Sequence, residues 1–418
     1  MPATHDLLDE LAWRGLLHQH TDGLGEALAR GRVSAYCGFD PTASSMHVGS
    51  LVPVMGLMHL QRAGHKPFAV VGGGTGMIGD PSGKTAERQL NTPEIVEENT
   101  GALRKQLEHF LDFSGENSAE MRNNADWLAK LGAIDFMRDV GKHFTINYMM
   151  AKESVQQRLE AGISYTEFSY MLLQAYDFRE LYRRDGVTLQ VGGSDQWGNI
   201  TAGLELIRRT EGGDAHALTF PLVTNSSGTK FGKTEAGSVW LDPERTSPYK
   251  FYQFWINIDD RDAARYLKFF TLLSRQEIQE LEAELAARPE SRGAQQALAR
   301  DVTTRVHGSE AARIAEEVSR LLFAKGDPAS LSHDALAALA REVPFTEVPE
   351  APAVVDALVA LGLAQSKGAA RRLVEQGGVT VNGRRVTGVG DSLGEPLDGK
   401  YFLIKKGARD YGLIRTGK

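Results

Sequence analysis

The chain has 418 residues, enough for two to four domains, and its 42% hydrophobic and 24% charged content is that of an ordinary globular protein. A single cysteine, Cys37, excludes an intrachain disulfide and a cysteine-rich zinc site, which fits a reducing compartment. The net charge of −7 argues against indiscriminate nucleic-acid binding, but it is unevenly spread. From residue 363 to the end, 11 Lys/Arg face 5 Asp/Glu, a local +6 that leaves −13 on the remainder. Met1-Pro2-Ala3-Thr4-His5-Asp6 is not a basic segment leading into an apolar run, and no stretch nears the ~18 apolar residues of a membrane span. A cytoplasmic protein with no membrane partner is expected.

In chain order, Leu7, Leu8, Leu11 and Leu16 recur near helical spacing and predict a short amphipathic helix within the first thirty residues. The apolar run Val33 to Phe39, closed by Asp40-Pro41, predicts a buried strand. A helix should follow over about 49–63, with Pro53 tolerated in its first turn. A second strand, 67–71, runs into Gly72-Gly73-Gly74. Helical segments are expected over about 93–112 and 124–184. A third strand, 187–191, and a fourth, 218–223, follow. Strands alternating with helices predict an α/β unit with an open parallel sheet, whose ligands bind beyond the carboxyl ends of the strands. Residues 248–325 read as helical. The proline-rich stretch from Val343 to Pro352 reads as a linker. A small α+β unit should close the chain, with helices near 353–361 and 366–377 and a hairpin turning at Asn382-Gly383.

Three segments carry candidate chemistry. Gly79-Asp80-Pro81-Ser82-Gly83-Lys84-Thr85 approaches a P-loop but fails it, because Ile78 stands where the first glycine belongs. Lys84 can still meet a phosphate as a point charge. Phe39 to Ser50 lies between strand and helix, where a helix N-terminus and a glycine favour an anion. Thr42 and His47 can donate hydrogen bonds there, although a histidine like His47, taken alone, is more often a surface or capping residue. Gly228 to Thr234 puts Lys230, Lys233 and Thr234 on a glycine-flanked loop. This is either a solvated basic loop or a clamp on departing pyrophosphate, which would need no metal or covalent step. Tyr170, Gln174 and Asp177 share one side of a helix, but spacing alone leaves open whether that side meets solvent or a pocket.

Together these segments resemble the class I aminoacyl-tRNA synthetases. His47-Val48-Gly49-Ser50 is similar to their H-I-G-H signature, and Lys230-Phe231-Gly232-Lys233-Thr234 to their K-M-S-K-S loop. The blocks Tyr36 to Thr42, Gly76 to Lys84, Tyr170 to Asp177 and Gly192 to Asn199 resemble the bacterial tyrosyl-tRNA synthetases over almost the whole chain.

The resemblance implies a Rossmann-like catalytic domain over 1–245 with a helical insertion, and a helical anticodon-contacting domain over 246–325. A linker over 326–352 and a small RNA-binding domain over 353–418 would follow. It implies that Tyr36 and Asp177 bind a substrate phenol, that Asp80, Tyr170 and Gln174 bind its α-ammonium group, and that Gln196 lies near its carboxylate. Gly38, Asp40, Gly49, Ser50 and Asp195 would line ATP, with Asp195 on the ribose. Thr42, His47, Lys84, Arg88, Lys230, Lys233 and Thr234 would hold the phosphates.

Ser50 departs from the signature: a serine donates one hydrogen bond but cannot become cationic. The implied partners are L-tyrosine, ATP and tRNA(Tyr), acting on a homodimer. Mg2+ would enter with ATP, and neither a resident metal nor a permanently bound cofactor is expected. The Lys367 to Arg372 helix and the Arg384-Arg385 hairpin either grip RNA phosphates or are simply solvated. Rival readings are a nucleotidylyltransferase, a non-catalytic RNA-binding protein and a tryptophan-specific relative. Tyr36 with Asp177 favours a phenol.

Overall fold

The computed structural model describes residues 6–82, 90–159, 162–226, 228, 231–234, 237–323 and 326–417, with the backbone alone at 233 and 234. It divides into two compact units, Met1–Thr246 with Ile258–Leu298, and Ser247–Asn257 with Ala299–Lys418.

The first unit is built on a six-stranded sheet of β1 (Gln19–His20), β2 (Ser34–Phe39), β3 (Lys66–Val71), β4 (Glu120–Asn123), β5 (Leu189–Gly193) and β6 (His216–Phe220), in the order β1-β6-β5-β2-β3-β4. All neighbours are parallel except β1, which runs antiparallel to β6. The four strands expected from sequence are β2, β3, β5 and β6. They read clearly because central parallel strands are covered on both faces and become nearly continuous apolar runs.

The two missed strands lie at the sheet edges. β1 is two residues long. β4 is Glu-Met-Arg-Asn, whose polar side chains pair sideways: Glu120 with Lys66 at 2.7 Å and Arg122 with Asp185 at 2.6 Å. Charged residues of this kind are how sheets blunt their edges.

The strand order reverses between β2 and β5. Their ladder is short, Ala35 opposite Leu189 and Tyr36 opposite Gln190, so a crevice opens beyond it at the carboxyl ends.

The helices need two corrections. The first thirty residues form two helices, Leu7–Arg14 and Leu24–Arg30, because Gly15 turns the chain at φ 75°. The helical stretch expected over 124–184 is broken into Ala125–Leu128, Ala133–Asp139, Ile146–Met150, Glu153–Leu159 and Tyr165–Asp185. Side-chain caps at Thr145 and Ser164 restart the chain there. The last of these helices is 21 residues long and ends on Gly186 in the left-handed conformation. The Leu51–Arg62 helix follows β2 through a loop over 40–47 and a single turn, Val48–Ser50.

The second unit carries a five-stranded sheet in the order Arg384–Arg385, Val379–Val381, Tyr401–Lys406, Asp410–Thr416, Phe345–Val348. The last strand lies within the stretch expected to be a linker. Pro344 and Pro349 bracket it and made it read as a spacer, yet Phe345–Val348 pairs in parallel with Leu413–Thr416 at the sheet edge, where proline is tolerated. Alternation along Tyr401–Lys406 feeds two apolar clusters. Phe402 and Ile404 join Val354 and Leu358, while Tyr401 and Leu403 join Leu321 and Leu336. The expected hairpin turn is present, with Asn382 at φ 49° and Gly383 at φ 80°. No described helix is long and apolar enough to cross a membrane.

Candidate active site

A cavity of about 340 Å³ occupies the crevice at the switch point. Tyr36, Gly38, Asp40, Thr42, Gly49, Asp80, Tyr170, Gln174, Asp177, Asp195 and Gln196 all line it. A second cavity of about 260 Å³ shares Gly38, Asp40 and Thr42 with the first and adds His47, Ser50 and Trp240. The polar side of the Tyr165–Asp185 helix therefore faces a pocket.

Asp177 is buried and accepts hydrogen bonds from Trp127 Nε1 at 2.6 Å and Asn124 Nδ2 at 2.9 Å. Burial outweighs the pull of these two donors and pushes its carboxyl up to about 7. Tyr36, on β2, stacks edge-on against Phe178 at 5.3 Å. Its buried hydroxyl meets no hydrogen-bond partner among the described residues. Burial, and after it the charge of Asp177, holds that phenol well above its usual range. A buried polar atom left without a partner is costly unless a ligand supplies one.

Beside this pair runs a hydrogen-bonded relay centred on Asp40. Tyr170 Oη donates to Asp40 Oδ2 at 2.7 Å, and Thr75 Oγ1 donates to Asp40 Oδ1 at 2.7 Å. Asn124 ties the relay to Asp177, because its Nδ2 also donates to Thr75 Oγ1 at 2.9 Å. Gly72 makes room for this approach: a Cβ there would fall 2.0 Å from Asp40 Oδ1. Opposite, Gln196 Nε2 donates to Asp80 Oδ2 at 2.6 Å, and Asn199 Nδ2 donates to Gln174 Oε1 at 3.1 Å. Asp80, Gln174 and Gln196 thus form one hydrogen-bonded wall.

Sequence reading missed Asn124, Trp127, Thr75 and Asn199. Asn124 directly follows β4, so a correct reading of that strand would have placed it at a carboxyl end. Asn199 lies inside the Gly192 to Asn199 block but has no chemistry of its own to mark it.

On the nucleotide side, His47 caps the Val48–Ser50 turn, its Nδ1 accepting from Gly49 N at 3.0 Å. That bond places the ring proton on Nε2 in the neutral form. Both the capping role and the position at the second cavity therefore hold for this residue. Val48 N donates to Val239 O and Val239 N to Gly232 O, each at 3.0 Å. Gly232 has φ 79°, and a Cβ on it would fall 2.6 Å from Val48 Cγ2. The two halves of the expected phosphate site are thereby brought together in space. Lys84, Arg88 and Lys230 lie outside the described residues, and Lys233–Thr234 form a short strand with Gly237–Ser238.

A model of the tRNA synthetases class I (W and Y) matches residues 28–324, and one of the tyrosine--tRNA ligase SYY-like C-terminal domain matches residues 335–414. The chain belongs to the class I aminoacyl-tRNA synthetases of this family. The tyrosine--tRNA ligase of Roseiflexus castenholzii is 55% identical over 420 residues, covering 98% of this chain and 99% of its own. That of Bacillus caldotenax is 55% identical over 417 residues with the same coverage. A C-terminally truncated mitochondrial tyrosyl-tRNA synthetase of Aspergillus nidulans superposes with a TM-score of 0.69 at 30% identity, covering 76% of this chain and 94% of that one. Within the family, the chain stands among the tyrosine--tRNA ligases.

Proposed function

We propose that the chain activates L-tyrosine with ATP to tyrosyl-adenylate, releases pyrophosphate, and transfers tyrosine to the 3′ end of tRNA(Tyr). The observation that carries this reading is the Tyr36 hydroxyl, without a partner among the described residues, in the same cavity as the buried Asp177. A substrate phenol gives the Tyr36 hydroxyl a partner and Asp177 a further donor, whereas phenylalanine leaves that hydroxyl buried and unpaired.

In this reading Asp80, Tyr170 and Gln174 take the α-ammonium group, with Asp40 holding Tyr170 in place. Gln196 lies near the carboxylate. Asp195 takes the ribose, and Gly38, Gly49 and Ser50 line the nucleotide. The tyrosine carboxylate attacks the α-phosphate in line, its bond to phosphorus forming as the pyrophosphate bond breaks. Thr42, His47, Lys84, Arg88, Lys230, Lys233 and Thr234 stabilise the charge on the departing phosphates. Positioning and charge supply the rate rather than a general base. Mg2+ enters with ATP as part of the substrate.

Residues 246–325 contact the anticodon arm, and the basic stretch from 353 onward grips RNA phosphates. Two copies act as a cytoplasmic homodimer. The exposed apolar side chains Ile134, Met137 and Ile146 of the helical insertion support such a face. ATP–pyrophosphate exchange assayed with each amino acid in turn tests the core reading. Tyrosine should drive exchange, and its failure to do so overturns the proposal.

A further inference from the structure

We propose that Trp240 is a positioning residue for His47, backed by Arg245. The inference rests on the reading of His47 as a phosphate ligand. Trp240 follows the Gly237–Ser238 strand and is joined to His47 by an antiparallel bridge. Leu241 N donates to Met46 O at 2.9 Å, and Val48 N to Val239 O at 3.0 Å, so the backbone is laced on both sides of the histidine. The rings meet edge to face, with centroids 6.2 Å apart and planes at 68°. Arg245 lies over the Trp240 ring with Cζ 3.4 Å from its centroid, and its Nη1 reaches Ser44 Oγ at 3.4 Å. Trp240 N donates to Thr246 Oγ1 at 3.0 Å, which fixes the tryptophan from behind.

Arg245 therefore covers the indole face and the imidazole meets the indole edge to face, with His47 and Trp240 at the wall of the second cavity. The indole face attracts the guanidinium, and the imidazole packs against the indole. With Nδ1 committed to Gly49 N, the direction of Nε2–H is set by how the ring is held. A donor aimed in advance at developing charge contributes more than one that must turn to reach it. Trp240 supplies the aim without needing to touch the nucleotide.

The test is a double-mutant cycle on the rate constant of adenylate formation. Trp240→Leu should slow that step about tenfold while leaving the KM for tyrosine unchanged. Trp240→Phe, which keeps an aromatic ring beside His47 and Arg245, should recover it to within about threefold. In a His47→Ala background, Trp240→Leu should cost no more than about twofold.

Losses that multiply in the double variant, or a Trp240→Leu enzyme as fast as the parent, overturn the positioning role while leaving His47 in place. A His47→Ala enzyme of parental rate overturns the reading of His47 and the positioning with it. Should Trp240→Leu not fold, the cycle with the exposed Arg245→Gln carries the same test. A smaller loss that vanishes without His47 supports the stack, and parental rate or a multiplying loss overturns it.

Discussion

Asp177 and Tyr36 set two opposing demands on the same few atoms. The buried Tyr36 hydroxyl has no partner among the described residues, so Tyr36→Phe should stabilise the ligand-free protein by about 1 kcal/mol while lowering tyrosine affinity. Chemical denaturation and tyrosine titration on the same variant check both halves. Asp177→Asn should raise the KM for tyrosine about 10–100-fold with little change in that for ATP, the loss of a hydrogen bond to a charged group worth about 1.5–3 kcal/mol.

Asp177 also makes stability depend on pH. Its carboxyl rises from an ordinary 3.8 to about 7 through burial. The native protein thus keeps a proton that the unfolded chain has released, and stability falls as pH rises through this window, levelling off above it. Tm measured from about pH 5 to pH 8 should fall less for Asp177→Asn than for the parent.

Tyr36 and Asp177 were singled out through the resemblance of the blocks that hold them, and folding brings both to one cavity. Asn124 and Trp127 were not, because each meets Asp177 about 50 residues away along the chain. Their roles appear once folding brings them to one carboxylate.

At the scale of elements, the Tyr165–Asp185 helix has to start in the right place for Tyr170, Gln174 and Asp177 to face the cavity. Ser164 caps it, and Arg158 forms a buried ion pair with Glu167 at 2.8 Å in its first turn. Breaking such a pair strands a charge, so Arg158→Met should cost about 3–5 kcal/mol by urea denaturation. Replacing Glu167 by Leu as well should return much of that loss, because the desolvated carboxylate goes too.

Elements buried on both faces were readable. Short polar ones, such as β4, were not, because their residues serve neighbours rather than the core. The break-up of 124–184 escaped notice for a related reason: its caps are ordinary Ser and Thr residues, which gain meaning only from the amide they face.

At the scale of the molecule, the apolar clusters in the second unit tie helix, strand and tail sheet together. Leu321 and Leu336 pack with Tyr401, Leu403 and Leu413. Removing 353–418 should leave tyrosine-dependent pyrophosphate exchange within about twofold, since the cavity residues all lie in the first unit. It should sharply reduce tRNA charging, and it should expose Leu336 and Leu339, seen as increased dye binding or aggregation. Unchanged charging would count against the tail as an RNA contact. Composition did reveal the tail's positive charge, but not that Phe345–Val348 joins its sheet. Two prolines hid a strand that only a long-range partner could reveal.

The lone cysteine has a practical consequence. Cys37 is buried in the lining of the cavity, and its thiol is pushed up to about 12 by burial. Alkylating reagents attack the thiolate, which is scarce at neutral pH for such a group and shielded by packing. The native chain is therefore a nearly silent background for maleimide chemistry. A cysteine introduced on the exposed face of either unit would take a fluorophore selectively, and a pair of them would turn the distance between the two units into an optical signal.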